Sequence, residues 1–183
     1  MYKDDDVTPQ KPISFNNPPL NMDLNEHRGK WWRTHTDSWD NWDCSFMNFV
    51  ESTNGDWKLH IEYQVKTAMR GLIRRQLAEH IAAIGIEERQ FGTRLVMWDT
   101  ETTEVWKLLH KTDDARMFAI CAKTQIPRPR IDNIFLIISK TPELSESSLM
   151  ELKEVAKDRG INWSNFFELK NDNYNSDIPV IPF

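Results

Sequence analysis

The chain has 183 residues and a formal charge of −5, from 23 Lys and Arg against 28 Asp and Glu, which sizes it as one domain, or one domain with arms, and withholds the cationic excess that a general nucleic-acid binder needs. Its longest strongly apolar run, Ile134 through Ile138, has the length of a strand and not of a bilayer-spanning helix. The start carries no charged segment followed by an apolar core, so the chain is expected to be cytosolic or to have lost a targeting peptide.

Residues 1–28 are rich in Pro, Asn and Asp, and Pro9, Pro12, Pro18 and Pro19 interrupt any regular element, which predicts an extended arm. Strand signals follow. Residues 44–50 form a β-rich run, Asn54-Gly55 is a two-residue hairpin signal, and residues 57–66 alternate apolar with polar. That alternation puts Trp57, Leu59, Ile61, Tyr63 and Val65 on one buried face. Over 69–84 the spacing of Ile73, Leu77, Ile81 and Ile84 makes a helical stripe with Arg70, Arg74, Arg75 and Glu79 mostly off it, and Gly85 supplies a stop. An inserted helix is therefore expected. Its basic face reads as a solvated surface, with a membrane headgroup or an acidic partner as the alternative.

Strands are expected again within 86–91 and at 94–98, 104–110, 115–123 and 133–139, separated by turn formers such as Thr112-Asp113-Asp114 and Pro127-Arg128-Pro129. The run from Ile134 to Ile138 is apolar on both faces, which fits a barrel wall whose outer side lies under a helix. That helix is predicted directly downstream, with Ser145 as N-cap, Glu146 in the first turn, Leu144 and Leu149 as a hydrophobic staple, and Lys157 and Arg159 before Gly160. Residues 171–183 read as a second polar arm with an apolar tip of Ile178, Val180, Ile181 and Phe183.

Two segments carry a family resemblance. Arg28-Gly29-Lys30-Trp31-Trp32 near the start and Ile137-Ile138-Ser139-Lys140-Thr141-Pro142-Glu143-Leu144-Ser145 before the last helix resemble the two ends of a lipocalin. The resemblance implies a mainly β fold: an eight-stranded antiparallel up-and-down barrel with an inserted helix and a C-terminal helix packed outside it. The barrel with its helix would span 29–170, between an arm at 1–28 and a tail at 171–183. Gly29, Trp31 and Lys140 would close its base, with the Lys140 cation over the Trp31 indole, an interaction worth roughly 0.5–2 kcal/mol. A small apolar ligand in a central cup is the functional counterpart. In that strand order Cys44 and Cys121 fall on the second and seventh strands, which are not neighbours, and a disulfide needs Cα atoms within about 7 Å. Two free thiols are expected.

Within that family, several segments are similar to the lipocalin domain of violaxanthin de-epoxidase. These are Trp42-Asp43-Cys44 with Phe46 and Phe49, then Ile61-Glu62-Tyr63-Gln64-Val65-Lys66-Thr67 before the Arg-rich stretch, and the run from Glu154 to Phe166, so that the likeness covers roughly 29–172. Such enzymes open epoxide rings of xanthophylls in the acidified thylakoid lumen with ascorbate, using an acid and tyrosines that line the barrel. The acid position falls on Glu104, with Trp106 two residues on; the tyrosine positions fall on Cys121 and Ile138. Neither carries a phenol, and the family's Cys-rich and Glu-rich extensions have no counterpart within these 183 residues. Losing the phenols removes hydrogen-bonding groups that acid–base chemistry needs and an apolar site tolerates.

The resemblance therefore implies a non-catalytic lipocalin of the thylakoid lumen. It would bind a carotenoid, chlorophyll or lipid through Tyr63, Glu104, Trp106, Met117, Cys121 and Ile138, or serve as an accessory subunit docked on a membrane photosynthetic complex through its two arms. No metal and no obligatory cofactor are expected. The alternatives are an active xanthophyll de-epoxidase with Glu104 as the acid, and a generic carrier of a small apolar ligand. A rim carboxylate competes with the proton-donor role for Glu104, and a core role with ligand stacking for Trp106.

Overall fold

Alternation of inward and outward side chains, set by the pleat, governs nearly the whole chain. The computed structural model describes residues 20–38, 41–82, 90–97, 100–124 and 130–182. Its long strands are β1 (Gly29–Thr36), β2 (Phe46–Glu51), β3 (Trp57–Thr67), β4 (Gly71–Ala82), β5 (Gln90–Met97), β6 (Thr100–Lys111), β7 (Ala115–Thr124) and β8 (Arg130–Ser139), followed by α1 (Glu146–Asp158) and the short β9 (Phe167–Glu168) and β10 (Val180–Pro182). Each long strand pairs antiparallel with the next, β8 pairs with β1, and the path reads β4-β3-β2-β1-β8-β7-β6-β5. At its two ends β5 meets β4 over His80↔Arg94, Ile81↔Thr93 and Ala82↔Gly92. The sheet rolls into a β-barrel around one apolar interior.

The helix expected over 69–84 is instead β4. A stripe spaced by four residues is ambiguous, because positions i, i+4 and i+8 share a face in a strand as well as on a helix. Ile73, Leu77 and Ile81 supply that stripe, while Arg75 and Glu79 between them break the apolar alternation that would have betrayed a strand. The register settles the matter, since β4 runs beside β3 without interruption from Trp57↔Ile81 to Thr67↔Gly71. The strand expected within 86–91 and the one at 94–98 are represented by the single β5; residues 83–89 and Trp98 lie outside the described residues.

Two cores share the wall. Trp31, Met47, Phe49, Leu59, Trp106, Leu108, Phe118, Ile120, Leu136 and Ile138 fill the interior. Leu109, Met117, Ala119, Phe135 and Ile137 face outward and are covered by Leu144, Leu152, Ala156 and Ile161 in and around α1. The two apolar faces of β8 thus have different partners. Ser145 caps α1 by accepting from the Ser148 backbone N–H, and Leu144 and Leu149 pack into the outer core at the helix entrance.

The base is closed by the chain that precedes β1. Residues 20–28, expected as part of a free arm, fold under the barrel: Leu20 N–H donates to the Leu108 carbonyl at 2.8 Å, and Met22 and Leu24 pack on the interior cluster. A 3-10 turn, Leu24–His27, then places the His27 carbonyl where the Trp31 indole N–H donates to it at 2.8 Å. Lys140 Nζ lies 3.9 Å from the Trp31 ring centroid and Arg116 Cζ lies 5.0 Å from it.

The carboxy-terminal tail is likewise packed on the outside of the barrel. β9 pairs with β1 at His35 and Thr36, beyond the point where β2 leaves that edge, and β10 pairs parallel with β4 at 74–76, beyond its pairing with β5. Between them Asn171 caps the Arg33 and Pro142 carbonyls, and Tyr174 stands edge-on to Trp32 and Phe46. The Tyr174 hydroxyl joins a covered ion pair in which Arg74 donates to Glu62 at 2.9 Å. Glu62 and Gln64 point outward on β3, and their burial comes from this wrapping of the tail.

Because the Trp31 indole is wholly buried and holds the closing turn, Trp31→Ala should destabilise the barrel by roughly 3–5 kcal/mol, measured by urea denaturation. A loss under about 1 kcal/mol would show that the base does not depend on this side chain.

Candidate functional site

The interior has a filled half and a lined half. Toward the base, Trp31, Phe49, Leu59, Leu108, Phe118 and Ile138 are each no more than 1% exposed and occupy the barrel axis. Toward the opposite end the inward positions are Tyr63, Val65, Ile73, Arg75, Leu77, Thr102, Glu104, Ala122 and Ile134, a ring with smaller and more polar members. That half lies at the end marked by the β3–β4 turn, away from Trp31.

Of the six residues expected to line a ligand site, the structure brings four to the inner face and puts two outside. Trp106 is 2% exposed, stands edge-on to Phe118 with centroids 5.3 Å apart, and donates its indole N–H to Glu104 Oε2 at 2.8 Å. The carboxylate thus serves as acceptor for its neighbour two residues away on the same face. Tyr63 is half-buried and stacks on Trp42 at 5.8 Å and 13°, at the rim. Ile138 is inward but at the base, paired with Arg33 and Arg116.

Met117 and Cys121 are corrections. Met117 lies in the outer core beneath α1, and Cys121 shares its parity on β7, whereas Phe118, Ile120 and Ala122 point inward. The cause is the composition of β7: from Ala115 to Ala122 only Arg116 is charged, so apolar residues sit on both faces and the sequence alone sets no phase. Register with β6 and β8 supplies that phase. Reading β4 as a helix also hid two inward groups, Arg75 and Glu79, for which the sequence held no signal, since Ile73, Leu77 and Ile81 recur at a four-residue spacing that helix and strand share.

A concavity of about 300 Å³ lies outside the wall between β1, α1 and the tail. It is bordered by Thr34, His35, Leu144, Leu149, Lys153 and Trp163 among others, and its polar walls carry Glu143, Glu168 and Asp172 as well as Lys153 and Lys170. A bulge between Arg33 and His35 turns the imidazole outward into this seam, where it packs on Trp163 at 5.3 Å. Burial pushes the His35 pKa down to about 4 against the pull of Glu168, and burial also lowers that of His27 at the base. Among the described residues no group of His, Cys, Asp and Glu is arranged to hold a metal ion. Cys44 and Cys121 are free thiols, the first buried and with its pKa raised by that burial and by Asp43.

No protein-family model matches the chain, and no curated protein matches it in sequence. Solved structures do match in shape. Lobster apocrustacyanin A1 superposes with a TM-score of 0.55 at 12% identity, over 80% of this chain and 78% of that one. An odorant-binding protein gives 0.55 at 16% identity over 85% and 97%, and apocrustacyanin C1 gives 0.56 at 13% identity over 83% and 80%. The fold is that of the lipocalins. At these identities the lipocalin likeness is one of architecture, the β-barrel itself.

Two measurements bear on these side chains. A buried neutral His35 favours folding above its unfolded pKa of about 6.5 and loses that contribution as pH falls toward 4, for an effect of up to roughly 3 kcal/mol. Denaturation midpoints should accordingly drop between pH 7 and pH 4.5, and drop less in a His35→Gln variant; equal slopes would locate the acid sensitivity elsewhere. Both thiols should react after denaturation without reductant, with Cys121 the faster in the native state. Protection of both until reductant is added would reveal a disulfide.

Proposed function

We propose that the chain is a non-catalytic, violaxanthin-de-epoxidase-like lipocalin whose barrel, taken as the eight-stranded up-and-down form made by β1–β8, holds a carotenoid, chlorophyll or lipid. Its place would be the thylakoid lumen of a plastid, as an accessory subunit of a membrane photosynthetic complex. The observation that carries the non-catalytic part is the scattering of the positions that resemble the enzyme's machinery. Glu104 aligns across the sheet with Ala122 and Asp132, near the open end. Ile138 lies six residues farther along β8, or about 20 Å of strand at 3.3 Å per residue. Cys121 faces out of the barrel. An acid and two partners so distributed cannot converge on one epoxide, since proton transfer requires groups within hydrogen-bond reach of the reacting atoms.

What supports ligand holding is the lining of the half away from Trp31, with Trp106 as an aromatic floor and Ile134, Ile73 and Leu77 as apolar walls. Tyr63, Arg75 and Glu104 at the same level suit a ligand with a polar end group, such as a hydroxylated ring or a lipid head. Association with a complex is assigned to the terminal arms: the Pro-rich residues 1–19, and the exposed polar stretch Asp172, Asn173, Asn175, Ser176 and Asp177 of the docked tail. The second reading is a generic carrier of a small apolar molecule in another compartment, which the shape shared with an odorant-binding protein favours. An active de-epoxidase using Glu104 is the third.

Purified protein recovered from its source should carry its ligand chemically unchanged. With violaxanthin and ascorbate near pH 5, no epoxide opening is expected, and Glu104→Gln, which keeps an acceptor for the Trp106 indole, should alter affinity by less than about twofold. Were Glu104 the acid of a working enzyme, the same change would reduce turnover by roughly 10² to 10⁴. Turnover by wild type that vanishes in the variant would overturn the reading, and unaltered co-purification after deletion of 1–19 would remove that arm's role in docking.

A further inference from the structure

The β3–β4 hairpin is built against the usual rule for a soluble loop. Its turn is well defined: Thr67 pairs with Gly71, the Arg70 N–H donates to Thr67 Oγ1 at 3.1 Å, and Gly71 takes a positive φ of +67° that favours glycine. At the tip of this ordered hairpin Met69 is 96% exposed, and Leu72 beside it is 47% exposed. Lys66 and Arg70 flank them and are exposed. From Tyr63 to Ala78 the chain carries Lys66, Arg70, Arg74 and Arg75 and no acidic residue, in a protein whose net charge is −5. Arg74 is engaged by Glu62, which leaves Lys66 and Arg70 as the cations at the tip.

The rest of the open end has a similar character. Ile131, at the start of β8, is 66% exposed, next to Arg130, which pairs with Asp132 at 2.6 Å. Trp42, 38% exposed, stacks on Tyr63, about 13 Å below the hairpin tip at 3.3 Å per residue. The acidic groups described at or near this end are Asp132, held by Arg130; Asp43 and Asp37, which accept from the Lys170 and Phe135 backbone N–H groups; Glu104, which accepts from the Trp106 indole; Glu101; and the exposed Asp177 of the tail beside Arg74. An apolar tip between two cations, with a Trp–Tyr pair set back from it, is the arrangement that suits a bilayer surface. The tip enters the headgroup and acyl boundary, cations meet anionic headgroups, and amphipathic aromatics sit at headgroup level.

We propose that the mouth of the barrel docks on an anionic lipid surface through the β3–β4 hairpin, with Met69 and Leu72 inserted and Lys66 and Arg70 against the headgroups. Val65 and Ile73 of the same hairpin line this end of the interior, so docking would bring the ligand entrance to the lipid. The use of the surface for loading rests on the ligand-holding function proposed above; the surface itself does not.

The test is flotation of the full chain with vesicles of phosphatidylcholine alone or mixed with phosphatidylglycerol. Wild type should float with the anionic vesicles at low ionic strength, float poorly with the neutral ones, and lose association as salt shortens the Debye length from about 10 Å at 0.1 M to about 3 Å at 1 M. Lys66→Ala with Arg70→Ala should lower partitioning on the order of thirty-fold, since each cation near an anionic surface is worth about 1 kcal/mol. Met69→Asp should lower it several-fold with an unchanged thermal midpoint, because the side chain contacts almost nothing in the folded barrel. Lys111→Ala with Lys157→Ala removes the same charge away from the mouth and should leave partitioning within about twofold of wild type. Equal losses in the two double variants, no flotation of wild type with protein-free anionic vesicles, or capture only by membranes that retain their proteins would each overturn the proposal. A chain that floats as expected but holds no pigment or lipid would sink the ligand-holding function and leave the docking surface standing.

Discussion

The structure hangs on one buried indole. Trp31 is wholly enclosed, and its surroundings must satisfy both a donor and a large aromatic face at the narrow end of a tapering sheet. The His27 carbonyl takes the N–H, and Lys140 and Arg116 approach the ring. Those contacts join the entry turn, β1, β7 and the end of β8, which are remote in sequence. A cation on an indole tolerates partial burial better than an unpartnered one would, yet burial still lowers the pKa of Lys140, with Arg116 adding to the effect. With the base filled in this way, any space for a ligand must lie at the other end, and the fold's one open mouth follows from its one closed floor.

Coverage of the wall is the second constraint. Strands that pair in a rolled sheet bury one face automatically, while the other needs a helix, a tail or polar side chains. α1 covers the outer face of β7 and β8, where the sequence is apolar on both sides. The carboxy-terminal tail covers β1 to β4, where the outer residues are polar. There the stabilising contacts are of a different kind: Glu62, Arg74, Gln76 and Tyr174 form a hydrogen-bonded set, and Lys30 rests against Trp32, Phe46 and Tyr174. Short β9 and β10 take up the edges that β2 and β5 leave as they diverge from β1 and β4. A tail that reads as loose from its Asn and Asp content is therefore part of the barrel's wall.

The relation between the two ends gives the molecule its direction. An aromatic floor, a ring of polar and small side chains above it, and an apolar, basic rim form a gradient along one axis. Glu104 belongs to the middle level and bonds the indole of Trp106, which ties the one carboxylate singled out by family resemblance to the support of the floor. That layering gives the Glu104 carboxylate a structural partner, while the Tyr63 phenol at the same level stacks on Trp42. Retention of an amphipathic molecule, polar end toward the rim, is compatible with it.

How much of this was legible beforehand depended on whether a local pattern had a single physical solution. β3 was readable because ten alternating residues fit a pleat and nothing else, and α1 because cap, staple and stripe agree. The strand character of 71–82 was not, since a four-residue spacing satisfies helix and strand alike and two inward charges interrupt the alternation. Nor was the phase of β7, whose faces are equally apolar; Met117 and Cys121 changed sides once Phe118 and Ile120 met the interior. Local sequence thus determined most of the extended segments and where turns and the helix cap fall, and the lipocalin resemblance implied that Trp31 and Lys140 belong to the ends of a rolled sheet. Only the tertiary structure decided which face of each strand points inward, that residues 20–28 and the tail are part of the wall, and which hairpin stands at the mouth. Register and coverage are set by contacts between residues a hundred positions apart, and no window of sequence contains both partners.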